Sequence, residues 1–267
     1  YKRQAYWLLS AIGRNPFFSL PDDNVRYYMM GADGSTSGLN NRWFTADDWP
    51  PTKNETVFHL DGTDGGLKTS APAEGSVPYS AVLFPALLTV GGAHLPEFGL
   101  NTGSYDQSEI ELDDNVLTFR SAALGDALPI AGPARIRLFF ELTDETEAVD
   151  TDIMVKLIDE YPDGRNMLVA DTAMRLSWYL DNFTTHGGVT PGEVYELEFE
   201  IGQRAYVFES GHKIGIDIQG TNSPRFELNP GNGDPLPGGE SFNQNCVIHF
   251  GGANDSQLIL PEFDPTA

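Results

Sequence analysis

The sequence predicts an all-β fold, an antiparallel β-sandwich of the jelly-roll type, and two observations carry this prediction. Glycine and proline, with 28 and 18 residues, fall in short clusters along the chain, a pattern typical of short strands joined by turns. Within the stretch 193–201, residues 195–201 alternate strictly between apolar and acidic side chains, and 214–218 repeat the alternation with isoleucine. Each of these strands should therefore have one buried face and one face in water. About ten strands with few helices favour a sandwich.

The strand predictions follow from β-branched and aromatic residues and from their alternation. The predicted strands are 25–30, 55–60, 116–120, 135–142, 153–159, 193–201, 214–218, 246–250 and 257–260. Three long stretches between them, 31–51, 62–96 and 229–245, are predicted to be irregular connections. Connections of this length are often functional or form interfaces.

The first residues predict a helix that belongs to something longer. Residues 1–12 carry apolar side chains at helical spacing, but no capping residue precedes them and basic residues stand in the first turn, where the helix dipole disfavours them. We expect the last helix of a preceding domain, with a terminal helix and linker over 1–24 and the β-sandwich over 25–267. Trp7 and Leu8 would then lie in an interdomain contact.

The net charge limits the classes of partner. Acidic residues outnumber basic residues 39 to 16, for a net charge of −23, which argues against nucleic acid. No apolar run approaches the ~18 residues of a membrane span, and no signal peptide opens the chain. We expect a soluble protein of bacterial type, cytoplasmic or secreted. The single cysteine, Cys246, excludes an internal disulfide and is predicted to be a buried structural thiol.

No catalytic residue is predicted within the chain. A serine nucleophile of the α/β-hydrolase type requires Gly-x-Ser-x-Gly between a strand and a helix. The nearest string, 34–38, has Thr36 at its centre and lies in a polar stretch, so we interpret it as a flexible turn. The five histidines lie mostly beside strand or turn residues, where a structural role is the default. The sequence alone leaves a triad assembled in space open.

No cofactor or metal is predicted either. The sequence lacks His-Glu-x-x-His, a cysteine pair and an EF-hand loop. The acidic run 144–152 could offer oxygen ligands to calcium or be a solvated loop. Trp43, Trp49 and Trp178 could stack on sugars, which keeps a carbohydrate-binding module as the alternative function, or they could fill a core or an interface.

A series of short motifs in a fixed order covers most of residues 25–260. It includes Thr-Val-Gly-Gly at 89–92, Asp-Gln at 106–107, Tyr-Pro-Asp-Gly-Arg at 161–165, Pro-Gly-Glu at 191–193, Gly-His-Lys-Ile-Gly-Ile-Asp at 211–217 and Asn-Ser-Pro-Arg-Phe at 222–226. Their order resembles the carboxy-terminal β domain of the X-prolyl dipeptidyl-peptidase, cocaine esterase and α-amino-acid ester hydrolase family of serine hydrolases. Leu88 stands where that family has a proline.

The resemblance implies a galactose-binding-like jelly roll that follows a hydrolase domain in the same protein. In the family this β domain packs against the hydrolase domain, helps to wall the active-site cleft and can join subunits into a homo-oligomer. The family's catalytic serine, aspartate and histidine precede it, so none transfers to a residue here and the chain alone should be inactive. The sequence leaves the substrate open among X-Pro peptides, amino-acid esters, acyl amides and general esters.

Asp217, Arg225 and Phe226 complete the candidate interdomain or structural residues. Asp217 should point away from the apolar core, because the neighbouring isoleucines take the other face. Arg225 follows Pro224, and its guanidinium could reach back to the Asp217 carboxylate and hold the bend. The alternative is two independently solvated side chains.

Overall fold

The computed structural model describes residues 24–35, 37–51, 54–92, 99–143, 147–184, 187–234 and 238–263. The regular structure of the described chain is almost all strand, with one short α-helix, α1 (Leu176–Leu180), and a 3-10 turn (Ile110–Leu112). The helix predicted over 1–12, and with it Trp7 and Leu8, lies outside the described residues. The strands are β1 (Val25–Gly31), β2 (Arg42–Ala46), β3 (Glu55–Asp61), β4 (Gly66–Lys68), β5 (Gly75–Ala81), β6 (Leu117–Ser121), β7 (Leu128–Leu142), β8 (Asp152–Glu160), β9 (Asn166–Arg175), β10 (Val194–Phe208), β11 (Lys213–Gln219), β12 (Gln244–Phe250) and β13 (Gln257–Pro261).

These strands form a curled, mixed sheet. The order is β2-β1-β10-β7-β13-β3-β4-β6-β11-β8-β9, while β12 joins β7 and β5 joins β12. The pairings between these strands are antiparallel except for β1 with β10 and β4 with β6. The all-β prediction is confirmed, and the prediction of a wholly antiparallel sheet is wrong at these two pairs. Both pairs join segments far apart in the chain, and local alternation does not report which neighbour a strand takes.

The curl encloses an apolar core. Phe140 of β7, Phe208 of β10 and Ile216 of β11 are fully buried in the same cluster, and contacts between β10 and β9, the last strand in the sheet order, close the curl. Burial of each large apolar side chain contributes roughly 1.5–3 kcal/mol. A smaller cluster around Tyr27 and Met29 attaches β1 to the main body.

The alternation predicted for β10 is confirmed. Leu197, Phe199 and Ile201 are buried, while the glutamates between them face outward. Glu198 lies opposite Arg137 on β7, and the two side chains are 2.7 Å apart at their closest N and O atoms. This face of the sheet therefore carries half-exposed ion pairs between neighbouring strands.

The alternation of β11 is confirmed on the apolar face, but the opposite face is not exposed as it is on β10. Ile214, Ile216 and Ile218 face the core as predicted, but Asp217 and Gln219 on the opposite face are buried as well. The strand lies between β6 and β8, and other segments cover its outer side. The expectation of one solvated face is therefore wrong for this strand.

Four strands, β2, β4, β5 and β9, were not predicted. Pro78 weakens the strand signal of β5, but β5 pairs with β12 alone among the described strands, and an edge position tolerates proline.

Gly62 lies in the stretch 62–96 that is predicted to be irregular, yet a Cβ there would lie 2.5 Å from the Phe250 ring and 2.8 Å from Val77. This glycine therefore permits close packing of the turn after β3.

Candidate functional site

Arg120 on β6 is the centre of a buried charge cluster on the outer side of β11. Its Nη1 donates to Asp217 Oδ1 at 2.9 Å, its Nη2 lies 2.8 Å from Glu111 Oε1, and its Nε lies 3.2 Å from Glu160 Oε2. One guanidinium thus meets three carboxyl groups, and Asp217 is only 1% exposed. The predicted orientation of Asp217 away from the apolar core is confirmed, but its side chain is a buried partner of Arg120 and not a solvated group.

The surroundings of Glu111 favour its protonated form. Burial, and next the negative charge of Asp217, raise the pKa of Glu111 to about 8. Oδ2 of Asp217 has no hydrogen-bond donor among the described residues, and a protonated Glu111 carboxyl is a donor that this oxygen can accept. Sharing the proton lowers the repulsion between two acids that are both held by Arg120.

Lys156 extends the cluster across the sheet. The strand register places it opposite Asp217 on β11 and opposite Asp171 on β9. Its Nζ donates to Gln107 Oε1 at 3.0 Å, and burial lowers the pKa of this lysine. The Gln107 side-chain amide in turn donates to the carbonyls of Val90 and Tyr105 at 2.9 Å each. These bonds tie residues 90 and 105–107 to the outer face of the sheet.

Arg225 does not pair with Asp217. Its Nη1 forms an ion pair with Asp171 Oδ2, and the Asp171 side chain is 4% exposed. Asp171 is on β9, two strands away from β11 and hence roughly 10 Å away at ~4.8 Å per strand, and Asp217 is already bonded to Arg120. The predicted pair is therefore wrong, since the pairing of β8 with β9 decides which carboxylate Arg225 meets.

Arg225 also joins two backbone segments. Its amide donates to Thr89 Oγ1 at 3.2 Å, and this hydroxyl donates to the Asn222 carbonyl at 3.0 Å. The guanidinium lies over the Phe226 ring, 4.9 Å from its centroid. A Cβ at Gly92, where φ is +100°, would lie 2.4 Å from Arg225 Nη1, so the close approach requires glycine.

The outer side of this junction is apolar. Phe84 is 80% exposed and Leu88 is 62% exposed, and both precede Gly92 on the same segment. A cleft of about 410 Å³ lies between Phe84 and the 223–230 segment. We call this region the Phe84 surface, which consists of Phe84, Pro85, Leu88, Pro224 and Phe226. Sequence reasoning found only Phe226 of these, because nothing in a local pattern shows that an apolar residue stays exposed.

The serines of the 34–38 turn contact a carboxylate. The hydroxyls of Ser35 and Ser37 both donate to Glu209, the latter at 2.7 Å, and the strand β2, not a helix, follows the turn. His94 and His186 lie outside the described residues. The other histidines bond to carboxylates: His59 to Asp255 at 2.6 Å, His212 to Asp159 at 2.8 Å and His249 to Glu141 at 2.9 Å. Gly34 lies in a turn and residues 37 and 38 lie in a bend, as interpreted, while Thr36 lies outside the described residues.

Cys246 and the described residues of the acidic run 144–152 have structural surroundings within the chain. Cys246 is fully buried, and burial raises the pKa of its thiol to about 12, as predicted for a structural cysteine. In the described part of the acidic run, Asp152 accepts from Arg175 at 2.7 Å and Asp150 accepts from the Ser177 hydroxyl at 2.9 Å. The described residues contain no cluster of three or more metal-ligating His, Cys, Asp or Glu.

The tryptophans proposed as sugar platforms make contacts within the chain. The Arg26 guanidinium lies over the Trp43 ring at 4.8 Å, and Trp49 Nε1 donates to Gln203 Oε1 at 2.8 Å. Trp178 lies on α1. These contacts favour the structural interpretation over carbohydrate binding. A bilayer-spanning helix is likewise not found in the described ranges.

The comparison with known sequences agrees with the order of the motifs. The family described as "X-Pro dipeptidyl-peptidase C-terminal non-catalytic domain" matches residues 20–259. Cocaine esterase from Rhodococcus sp. (strain MB1 Bresler) is 30% identical over 251 residues, which are 89% of this chain and 41% of that protein.

Solved structures share the fold. An aminopeptidase from a marine sediment archaeon, Thaumarchaeota archaeon, superposes with a TM-score of 0.78 at 22% identity, over 98% of this chain and 43% of that one. An α-amino acid ester hydrolase superposes with a TM-score of 0.71 at 22% identity, over 84% and 39%. The chain thus spans about two fifths of the length of these proteins. By its match over 20–259, the chain belongs to the family of X-Pro dipeptidyl-peptidase C-terminal non-catalytic domains.

Proposed function

We propose that this chain is the β domain of a serine hydrolase, where it packs on the hydrolase domain of the same protein and forms part of the wall of the active-site cleft. The family match over residues 20–259 carries this proposal. The relatives named above are more than twice as long as the chain and are described as an esterase, an ester hydrolase and an aminopeptidase. An ester or amide is therefore the substrate class that we propose, with the serine, histidine and acid in the preceding domain.

The role of a wall requires rigidity, and the structure of the Arg225 junction supports it. The Asp171–Arg225 ion pair and the bonds of Thr89 hold the 87–92 and 221–226 segments against each other. A fixed wall orients a substrate and excludes water without contributing a reacting group. We further propose that the curled sheet is a galactose-binding-like jelly roll, since the terminal strand β9 shares one core with β7, β10 and β11.

Turnover measurements test the proposal. The 267-residue chain and the full-length gene product would each be assayed with p-nitrophenyl butyrate and with glycyl-prolyl p-nitroanilide. We expect turnover of one of these substrates by the full-length product and none by the chain alone. Turnover by the chain alone that is lost in Ser35→Ala with Ser37→Ala, or a full-length product without hydrolase activity, would overturn the proposal.

A further inference from the structure

The Phe84 surface differs from the rest of this acidic chain. Charged residues make up 21% of the sequence and the net charge is −23, yet Phe84, Pro85, Leu88 and Pro224 form an exposed apolar region. Among the described residues that line the cleft, Glu227 is the only charged one, and the guanidinium of the neighbouring Arg225 is neutralised by Asp171. An exposed apolar region of this kind marks a surface that another protein surface covers.

The backbone beneath this surface is fixed. The Thr89 amide donates to the Ser223 carbonyl at 2.7 Å, the Ser223 amide donates to the Leu87 carbonyl at 2.9 Å, and the Leu87 amide donates to Thr221 Oγ1 at 3.0 Å. The 87–89 segment therefore runs beside 221–223 as a short parallel pair. A surface presented on a fixed backbone loses little conformational entropy when it is covered.

We propose that the Phe84 surface docks on the hydrolase domain of the same polypeptide and meets apolar side chains there. This inference rests on the proposed function. The family is a carboxy-terminal domain, and the longer relatives have about three fifths of their length outside the matched region, so each relative carries a large partner surface in the same polypeptide. A second copy is disfavoured as the occupant, because it carries the same net charge of −23 and would repel the first.

Hydrogen–deuterium exchange measures the covered surface without any substitution. Exchange of the 83–90 and 221–228 peptides would be compared between the 267-residue chain and the full-length gene product. We expect these peptides to exchange at least about tenfold more slowly in the full-length product. Unchanged exchange at both peptides, with slower exchange around Trp43 on the β1–β2 edge instead, would overturn the inference.

A double variant, Phe84→Ser with Leu88→Ser, tests the contribution of the side chains. Leu112→Ser is the matched control, because Leu112 is 84% exposed and lies outside the surface. In the full-length product we expect the double variant to abolish the slow exchange and to lower kcat/KM at least about tenfold, and the control to behave as wild type. An unchanged unfolding midpoint of the double variant in the 267-residue chain shows that the domain itself still folds.

The outcomes separate this inference from the proposed function. A full-length product with normal turnover whose exchange and kcat/KM do not respond to the double variant contradicts the docking surface and leaves the proposed function intact. A 267-residue chain that dimerises through the Phe84 surface in sedimentation, and becomes monomeric in the double variant, contradicts the hydrolase domain as occupant. A full-length product without turnover contradicts both.

Discussion

The outer faces of β10 and β11 start from the same alternating pattern and end in different environments. On β10, the glutamates lie at the surface, and Glu198 pairs with Arg137 of the neighbouring strand. On β11, Asp217 is buried beneath Arg120 and Glu111. The difference shows that alternation determines which side of a strand is apolar, while a remote segment determines whether the other side meets water.

The two environments have different energetic consequences. Half-exposed pairs such as Glu198 with Arg137 contribute at most about 1 kcal/mol, because solvent screens them. Charges such as Arg120 and Asp217 lose their hydration on burial, and their attraction largely offsets that cost, so removing one partner is more damaging than the pair is stabilising. The buried cluster therefore fixes the position of the covering segment more than it adds to the total stability.

The largest difference is expected when the central cation of each region is removed. Arg120→Ala leaves Glu111, Glu160 and Asp217 without their shared guanidinium, and we expect a loss of about 3–5 kcal/mol in the free energy of unfolding. Arg137→Ala on the β10 side should cost less than about 1 kcal/mol. Urea unfolding of both variants measures the difference, and equal losses would contradict the distinction.

A smaller effect is expected at the Arg225 junction. Arg225→Ala leaves the Asp171 carboxylate buried without its cation, so we expect a loss of about 2–3 kcal/mol. Arg165→Ala is the control, because solvent screens the exposed pair of Arg165 with Asp163 and the pair should contribute little to stability. Thermal unfolding in the same buffer compares the two. A loss for Arg225→Ala no greater than that of the control would show that Asp171 finds another partner.

The dependence of stability on pH is the smallest effect when it is counted per pH unit. The pKa of Glu111 is raised from 4.5 to about 8 in the folded chain, so its contribution is fully present below about 4.5 and is lost as the pH rises to about 8. In that window the free energy of unfolding of wild type, relative to Glu111→Gln, should fall by up to about 1.4 kcal/mol per pH unit. The control Glu196→Gln should follow wild type, and a flat difference between wild type and Glu111→Gln would contradict the shared proton.

The predictable part of the fold is the part governed by local periodicity. The alternation of β10 and the isoleucines of β11 are visible in the sequence, and the structure confirms both. The parallel pairing of β1 with β10 and the edge position of β5 depend on contacts between segments far apart in the chain, which alternation does not encode.

Contacts between segments far apart in the chain also limit what the sequence predicts about the candidate site. The motif 222–226 draws attention to Arg225 and Phe226, but the partner of Arg225 follows from the register of β8 with β9. Asp217 was likewise assigned to the wrong cation, since Arg120 reaches it across the β6–β11 pair. Phe84 and Leu88 carry no sequence signal, because exposure of an apolar side chain is a property of the folded surface.

The most direct test of the central claim is to locate the reactive serine. The full-length gene product would be labelled with a fluorophosphonate probe, digested and mapped by mass spectrometry, with loss of turnover followed in parallel. We predict one labelled serine, outside these 267 residues, whose labelling abolishes turnover, and no label on the 267-residue chain alone. Stoichiometric labelling of a serine within the chain, such as Ser35 or Ser37, together with loss of turnover, would contradict the assignment of this domain as a non-catalytic wall.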